Sequence, residues 1–225
     1  LYPLKCKYPQ GAEKQLINAC TGREVPSGKL PADAGCAVFN VDTAGAIYRR
    51  FTTGMPVIRR VVTISGSAVA EPKNLEARIG TPIEKLIDAC GGFKEAPNKL
   101  LAGGPMMGKP AYSLEQPVLK ATNAIIILNR KDSRSLEPTP CIHCGRCVEN
   151  CPLGLNPTAY AKALDIDDEA ERFAVLEKEK VSMCMECGSC SYVCPARRPL
   201  VQNNQKAKGF VRAYKAQLKE KEGGK

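Results

Sequence analysis

The spacing of apolar residues near the start of this chain predicts two helices separated by a strand. Leucine, isoleucine and cysteine recur at helical intervals over residues 11–20, which predicts the first helix. The short, mostly apolar run over residues 36–41 predicts a strand. A second helix is predicted over residues 42–53, with Asp42 as its N-cap.

Apolar runs that are typical of strands dominate residues 57–128. Apolar runs predict strands over three segments: 57–65, 99–102 and 124–128. Residues 68–79 are expected to be extended, and a helix is predicted between Thr81, as N-cap, and Gly91. The glycine-rich segment 103–108 is predicted to be a turn rather than a phosphate-binding loop, because its proline breaks the helix start that such a loop needs. Several strands around one helix favour a small α+β unit.

The last segment is helical in pattern and rich in cysteine. A proline-containing linker over residues 131–140 leads into it. Alanines and leucine predict a short helix around residues 159–164, and the acidic run at 165–171 suits the start of another. A longer helix is predicted over residues 200–218.

This segment holds eight of the 12 cysteines, in two copies of one spacing. Each copy reads C-x₂-C-x₂-C-x₃-C-P, first over residues 141–152 and again over residues 184–195. In proteins with two [4Fe–4S] clusters, three cysteines of such a run ligate one cluster and the fourth ligates the other. The proline turns the chain away after the fourth cysteine, and Gly145 and Gly188 allow each loop to approach closely.

The spacing therefore predicts two crossed ligand groups, named here the first and second cysteine sets. The first cysteine set is Cys141, Cys144, Cys147 and Cys194. The second cysteine set is Cys184, Cys187, Cys190 and Cys151.

Two other uses of these cysteines stay open at this point. Two C-x₂-C pairs can hold a structural zinc ion, although zinc gains nothing from a third cysteine at the same spacing. A disulfide framework is the other alternative, but such frameworks are typical of small secreted domains. The remaining cysteines lack ligand spacing and are expected to be small core residues: Cys6, Cys20, Cys36 and Cys90. His143, the single histidine, is expected to face solvent.

Charge and composition narrow the function classes. The formal charge is +10, with much of it after Arg197, where a basic tail could attract an acidic protein or an anionic surface as readily as form a solvated helix face. Nucleic acid is not expected as a partner, because no aromatic residues interleave with these charges.

No apolar run approaches the length of a membrane span, and no signal peptide is recognisable. Reduced cysteines favour a reducing compartment. The chain does not begin with Met, so we expect it to be part of a longer protein.

Several segments together resemble one family. The run Gly188-Ser-Cys-Ser-Tyr-Val-Cys-Pro195 with Pro199-Leu-Val-Gln202 is similar to the C subunits of Rnf electron-transport complexes. So is Tyr8-Pro-Gln-Gly-Ala-Glu-Lys-Gln-Leu16 with the downstream runs over residues 23–28 and 30–33. The resemblance covers nearly the whole chain.

The resemblance implies an α+β multidomain protein with three parts. Residues 1–55 would be the remnant of an α/β flavin- and NADH-binding domain, and residues 56–130 a soluble-ligand-binding β-grasp (SLBB, ubiquitin-like) domain. Residues 131–225 would form an α-helical, ferredoxin-like domain with two [4Fe–4S] clusters and a C-terminal helix.

The same resemblance implies a function. The chain would be an electron-transfer subunit that passes single electrons between an NADH/flavin site and a partner redox subunit of an ion-translocating ferredoxin:NAD oxidoreductase. FMN and NADH would bind the full-length protein rather than this portion, in which Gly11, Glu13, Asn40 and Thr43 match parts of the flavin segments.

The implied partners are other Rnf subunits, especially the ferredoxin-like B subunit, with peripheral contact to membrane subunits. The implied location is the cytoplasmic side of the bacterial cell membrane. Two alternatives remain: a cobalamin reductase of the PduS type, which resembles this family in layout, and a zinc-stabilised interaction module of a different functional class.

Overall fold

The computed structural model describes residues 1–223 of the chain. Its contacts divide the chain into two compact units. The cysteine unit comprises residues 1–38 and the chain from Leu136 onward, and the sheet unit comprises residues 39–135.

Helices and strands are numbered separately in chain order. The helices are α1 (Glu13–Thr21), α2 (Val41–Thr53), α3 (Ile83–Asp88), α4 (Arg146–Glu149), α5 (Pro157–Ala163), α6 (Glu169–Lys178), α7 (Ser189–Tyr192) and α8 (Leu200–Gly223). The strands are β1 (Arg59–Ser65), β2 (Lys73–Arg78), β3 (Pro97–Ala102), β4 (Lys109–Pro110) and β5 (Ala124–Asn129). Short 3₁₀ helices lie at Pro31–Ala34 and Val181–Met183.

The sheet unit is built on a five-stranded mixed sheet with the order β2-β1-β5-β3-β4. Strands β1 and β5 run parallel, and the other neighbours are antiparallel. Alternation along β1 places Val62 and Ile64 in the core, where they meet Ile125 and Ile127 of β5 and the buried side of α3. Gly66 ends β1 with φ of 120°, and a Cβ there would lie 2.1 Å from the carbonyl oxygen of Ile127. Glycine is therefore required at this point by close backbone approach.

The cysteine unit has an apolar core of its own. Helices α5, α6 and α8 contribute Tyr160, Leu176, Ala207 and Val211, all nearly inaccessible to solvent. The hydroxyl of Tyr160 donates to the carbonyl oxygen of Glu179 at 2.9 Å, so the buried tyrosine has its polar end satisfied. This core lies beside the cysteine motifs and gives them a rigid helical support.

The predicted α+β class is confirmed, as are most of the predicted elements. The predicted strand over residues 36–41 is wrong: residues 36–40 have no regular structure, and Val41 already begins α2. The N-cap of α2 is Asn40 rather than Asp42, because the Asn40 side chain accepts a hydrogen bond from the Asp42 amide at 2.9 Å. The predicted turn over residues 103–108 lies between β3 and β4. The domain boundaries after residues 55 and 130 stay predictions.

Within residues 1–223, no helix combines the length and the apolar character needed to cross a membrane. Helix α8 is long enough, but it carries many lysines.

Candidate metal centres

The first cysteine set lines a cavity of about 190 Å³. Cys141 and Cys144 lie on the loop before α4, Cys147 lies on α4, and Cys194 arrives from the second motif. Cys147 is buried, whereas Cys144 is exposed. The structure therefore brings together the four cysteines that the spacing predicts for one cluster.

The second cysteine set lines a separate cavity in the same unit. Cys184 and Cys187 precede α7, Cys190 lies on it, and Cys151 comes from the first motif. Cys187 and Cys190 are both buried. Each cavity thus receives three thiols from one motif and the fourth from the other. Four thiols around one cavity are the donor set that a [4Fe–4S] cluster takes, so the residues fit such a group.

Both motifs use the same backbone turn to shape the loop. Gly145 and Gly188 have φ of 78° and 83° and start α4 and α7. His143 and Glu186 adopt the left-handed conformation two residues earlier, with φ of 55° and 59°. The same kind of turn forms anion-binding concavities in other proteins, where successive backbone N–H groups face the anion.

Backbone amides already reach sulfur in each motif. The amide of His143 donates to Sγ of Cys141 at 3.4 Å, and the amide of Glu186 donates to Sγ of Cys184 at 3.4 Å. Such bonds stabilise the thiolate that iron requires. His143 is itself exposed, which confirms that prediction.

Burial changes the acidity of several of these thiols. It raises the pKa of Cys190 to about 11, and it also raises the pKa values of Cys147 and Cys184. These thiols are therefore protonated at neutral pH when no metal is bound. Metal ligands must be deprotonated, so iron binding has to displace these protons.

Two side chains of α8 contact the second cysteine set. Asn204, on α8, directs its side-chain amide at Cys184 and Cys190, and Nζ of Lys208 donates to the carbonyl oxygen of Cys184 at 2.8 Å. Lys208 also forms an ion pair with Glu186, between two half-buried side chains. Sequence reasoning did not identify Asn204 or Lys208, because 20 or more residues separate them from Cys184.

The N-terminal segment of the cysteine unit also contacts the second cysteine set. The hydroxyl of Tyr8 donates to the carbonyl oxygen of Cys187 at 2.5 Å. Nε2 of Gln15, on α1, donates to the carbonyl oxygen of Pro152 at 3.3 Å, next to Cys151. These bonds span 179 and 137 residues, so no local pattern could have indicated them.

Neither cavity is lined by the predicted flavin residues or by the four other cysteines. Gly11 and Glu13 belong to the cysteine unit, where Glu13 is the first residue of α1. Asn40 caps α2 and Thr43 lies in its first turn, both in the sheet unit. Of the four other cysteines, Cys90 is buried as predicted, whereas Cys6 is exposed, so a core role for Cys6 is wrong. Among the described residues, no three His, Cys, Asp or Glu side chains are grouped tightly enough for a single metal ion.

Three family models match successive parts of the chain. Residues 1–49 match the Nuo51 FMN-binding domain, and residues 61–110 match the SLBB domain. Residues 137–198, which hold both cysteine motifs, match the 4Fe-4S dicluster domain. These matches confirm the predicted types of domain and an iron–sulfur content of two [4Fe–4S] clusters.

The chain is also similar to named proteins from several bacteria. It is 49% identical over 162 residues to the C subunit of the Na⁺-translocating ferredoxin:NAD⁺ oxidoreductase complex of Acetobacterium woodii, covering 72% of this chain and 37% of that protein. It is 53% identical over 155 residues to the C subunit of the proton-translocating ferredoxin:NAD⁺ oxidoreductase complex of Clostridium ljungdahlii, covering 69% and 34%.

A third relative is matched over most of the chain. The C subunit of the ion-translocating oxidoreductase complex of Rhodobacter capsulatus is 41% identical over 212 residues, covering 93% of this chain and 40% of that protein. The chain therefore spans between 34% and 40% of the length of these three relatives.

Proposed function

We propose that this chain, which is related to the C subunits of ion-translocating oxidoreductase complexes, carries single electrons through two [4Fe–4S] clusters. The observation that supports this most directly is the gathering of eight cysteines around two cavities, with one cysteine of each motif crossing to the other cavity. When bound, such a cluster takes up and releases one electron at a potential that its surroundings set.

The proposed ligands are the first cysteine set for one cluster and the second cysteine set for the other. Crossed ligation ties the two motifs together, so neither loop can hold its cluster alone. Leu200 is 1% exposed and packs against Cys147 and Cys190, one from each set. This packing would exclude water from the space between the two sites.

The proposed activity of the whole protein follows from its relatives. Their names describe ferredoxin:NAD⁺ oxidoreductases that translocate Na⁺ or protons. We propose that the full-length protein binds FMN and NADH, because residues 1–49 match an FMN-binding domain. In this chain Gly11, Glu13, Asn40 and Thr43 stay the proposed flavin residues.

The N-terminal contacts suggest which cysteine set faces the flavin side. Tyr8 and Gln15 lie in the segment that matches the FMN-binding domain, and both donate to backbone carbonyls of the second cysteine set's loops. Among the eight cysteines of the two sets, only Cys144 is exposed, and it belongs to the first set. The proposed arrangement therefore places the second set toward the flavin and the first set toward a partner.

The partner is proposed to be another subunit of the complex, the ferredoxin-like B subunit. Ile142 is 66% exposed and Val148 38% exposed, and both line the first set's cavity beside the partly exposed Arg198. An apolar centre with a basic neighbour suits a small electron-transfer interface with an acidic protein. Such an assembly would lie at the cytoplasmic side of the bacterial cell membrane, held by its membrane subunits.

Binding experiments can test this surface. Ile142→Glu should weaken binding of the isolated B subunit about tenfold, because it puts a carboxylate at the apolar centre of the contact. Leu119→Glu is the matched control, since Leu119 is 58% exposed and lies in the sheet unit. Equal binding of the B subunit by both variants would mean that the surface around the first cysteine set is not part of the interface.

Metal analysis tests the electron-transfer function itself. One anaerobically purified sample should contain about eight irons and eight sulfides per chain, as two cubane clusters require. Zinc without sulfide would overturn the proposal and favour a structural module.

Serine variants test the ligand groups. Cys187→Ser and Cys151→Ser should abolish the same electron paramagnetic resonance (EPR) signal, because both residues are assigned to the second cysteine set. Cys6→Ser is the control, since Cys6 is exposed and unassigned. Loss of different signals in the two variants would contradict crossed ligation.

A further inference from the structure

Asn204 is a buried polar residue whose role the proposed function does not explain. It is 1% exposed, and within residues 1–223 no other polar or charged residue is so fully buried. It lies on the first turns of α8 and lines the cavity of the second cysteine set. Buried amides are retained where they make specific hydrogen bonds, because an unbonded one is costly.

The side chain is aimed at two sulfur atoms. Nδ2 lies 3.5 Å from Sγ of Cys184 and 3.9 Å from Sγ of Cys190. The side-chain oxygen is buried and has no hydrogen-bond partner among the described residues. A thiolate can only accept, so the amide nitrogen is the end that belongs at the sulfurs. The residue thus leaves its oxygen unsatisfied while its N–H groups face the metal site.

This contact distinguishes the two cysteine sets. Both sets share the backbone amide bond to sulfur, made by His143 in one and Glu186 in the other. In the part of the chain that the structure describes, side-chain nitrogen donors to these sulfurs occur only in the second set. The nearby positive charge of Lys208 is balanced by the carboxylate of Glu186, which leaves the neutral amide of Asn204 as the side-chain nitrogen donor to these sulfurs.

We propose that Asn204 is a positioning residue that hydrogen-bonds the thiolates of Cys184 and Cys190 and raises the reduction potential of the second cluster. This inference rests on the proposed function, since it requires clusters at both cysteine sets. Hydrogen bonds to cluster sulfurs stabilise the more negative, reduced state, and burial opposes that state. Asn204 therefore offsets the burial of Cys187 and Cys190, keeping the more enclosed cluster reducible.

The test is an EPR-monitored redox titration of the cluster-loaded full chain. Asn204→Leu removes the donor while keeping the same branching of heavy atoms, and Asn203→Leu is the matched control on the same helix. In Asn204→Leu one of the two midpoint potentials should fall, making that cluster about tenfold less reduced at a fixed applied potential, which corresponds to about 59 mV for one electron. The other potential, and both potentials in Asn203→Leu, should stay at the values of the unaltered chain.

The outcomes separate the two proposals. Absence of iron and sulfide from the unaltered chain would refute the proposed function. Eight irons with unchanged potentials in Asn204→Leu, or equal shifts of both potentials, would refute the role of Asn204 alone. If the leucine variant does not accumulate, Asn204→Ala is titrated under the same criteria, because it removes the amide without adding volume.

Discussion

The sheet unit and the cysteine unit are stabilised by different means. In the sheet unit, strands and a helix enclose a continuous apolar core in which Val62, Ile64 and Ile125 are fully buried. In the cysteine unit, the core between the two motifs consists of Cys147, Cys190 and Leu200, with Cys194 against it. Helices α4 and α7 have four residues each, too few to be stable alone. The apolar core of α5, α6 and α8 lies beside the motifs, so between the motifs themselves we expect the proposed metal ligands to supply much of the stability.

Removing iron should give the largest effect and tests this difference directly. Chelation under reducing conditions should abolish hydrogen-exchange protection over residues 141–155 and 181–200, because protonated thiols cannot hold the loops together. The amides of β1 and β5 should keep their protection, since their core contains no ligand. Exchange measured by mass spectrometry on the loaded and stripped chain provides the check. Equal loss in both units would show that the sheet unit also depends on the metal.

A second prediction perturbs the core of the sheet unit instead of the metal sites, through Ile64→Ala. Ile64 is fully buried, so its truncation should lower the free energy of opening of the sheet by about 2–5 kcal/mol. Hydrogen exchange of the β1 and β5 amides measures this, while the iron content should not change. Val61→Ala is the control on the same strand, because Val61 points outward and is 51% exposed. Loss of iron from Ile64→Ala would contradict the independence of the two cores.

Gly66 gives a second test of the comparison. It lies in the sheet unit, where its backbone packs closely against the backbone of β5. A Cβ at Gly66 would meet the Ile127 carbonyl oxygen at 2.1 Å, whereas one at Gly80 would meet no heavy atom within 4 Å. Both glycines have positive φ, so alanine strains the backbone at either position. Gly66→Ala should therefore cost about 1–3 kcal/mol more than Gly80→Ala in thermal or denaturant unfolding of the sheet. Equal costs would mean that the strand end can move aside.

The two units also differ in how far sequence alone could predict them. Apolar runs correctly predicted β1 and β5, because strands with buried faces are rich in β-branched apolar residues. The same reasoning failed over residues 36–41, where an apolar run has no neighbouring strand to pair with, and Phe39 remains 64% exposed. Strand β4 has two residues, too short for any period to be detected.

For the candidate site, spacing indicated the cysteines but not their surroundings. The repeated C-P run predicted two crossed groups, and each group lines its own cavity in the structure. The contacts of Tyr8, Asn204 and Lys208 depend on tertiary folding over 20 to 179 residues. No short motif contains that information, so only the folded structure identifies these residues.

The smallest predicted effect concerns the helical support of the cysteine unit. Asp168 caps α6, and its side chain accepts a hydrogen bond from the Glu171 amide at 2.6 Å. Asp168→Ala should cost about 1 kcal/mol, seen as roughly fivefold faster hydrogen exchange in the first turn of α6. Asp167→Ala is the control, since Asp167 is the neighbouring exposed carboxylate outside the cap position.

Iron content and both EPR signals should be unchanged in Asp168→Ala, because α6 contributes Leu176 to the apolar core and no ligand to either cysteine set. A loss of iron in Asp168→Ala alone would show that the clusters depend on this apolar core as well as on their thiol ligands, and the contrast with the sheet unit would then be one of degree.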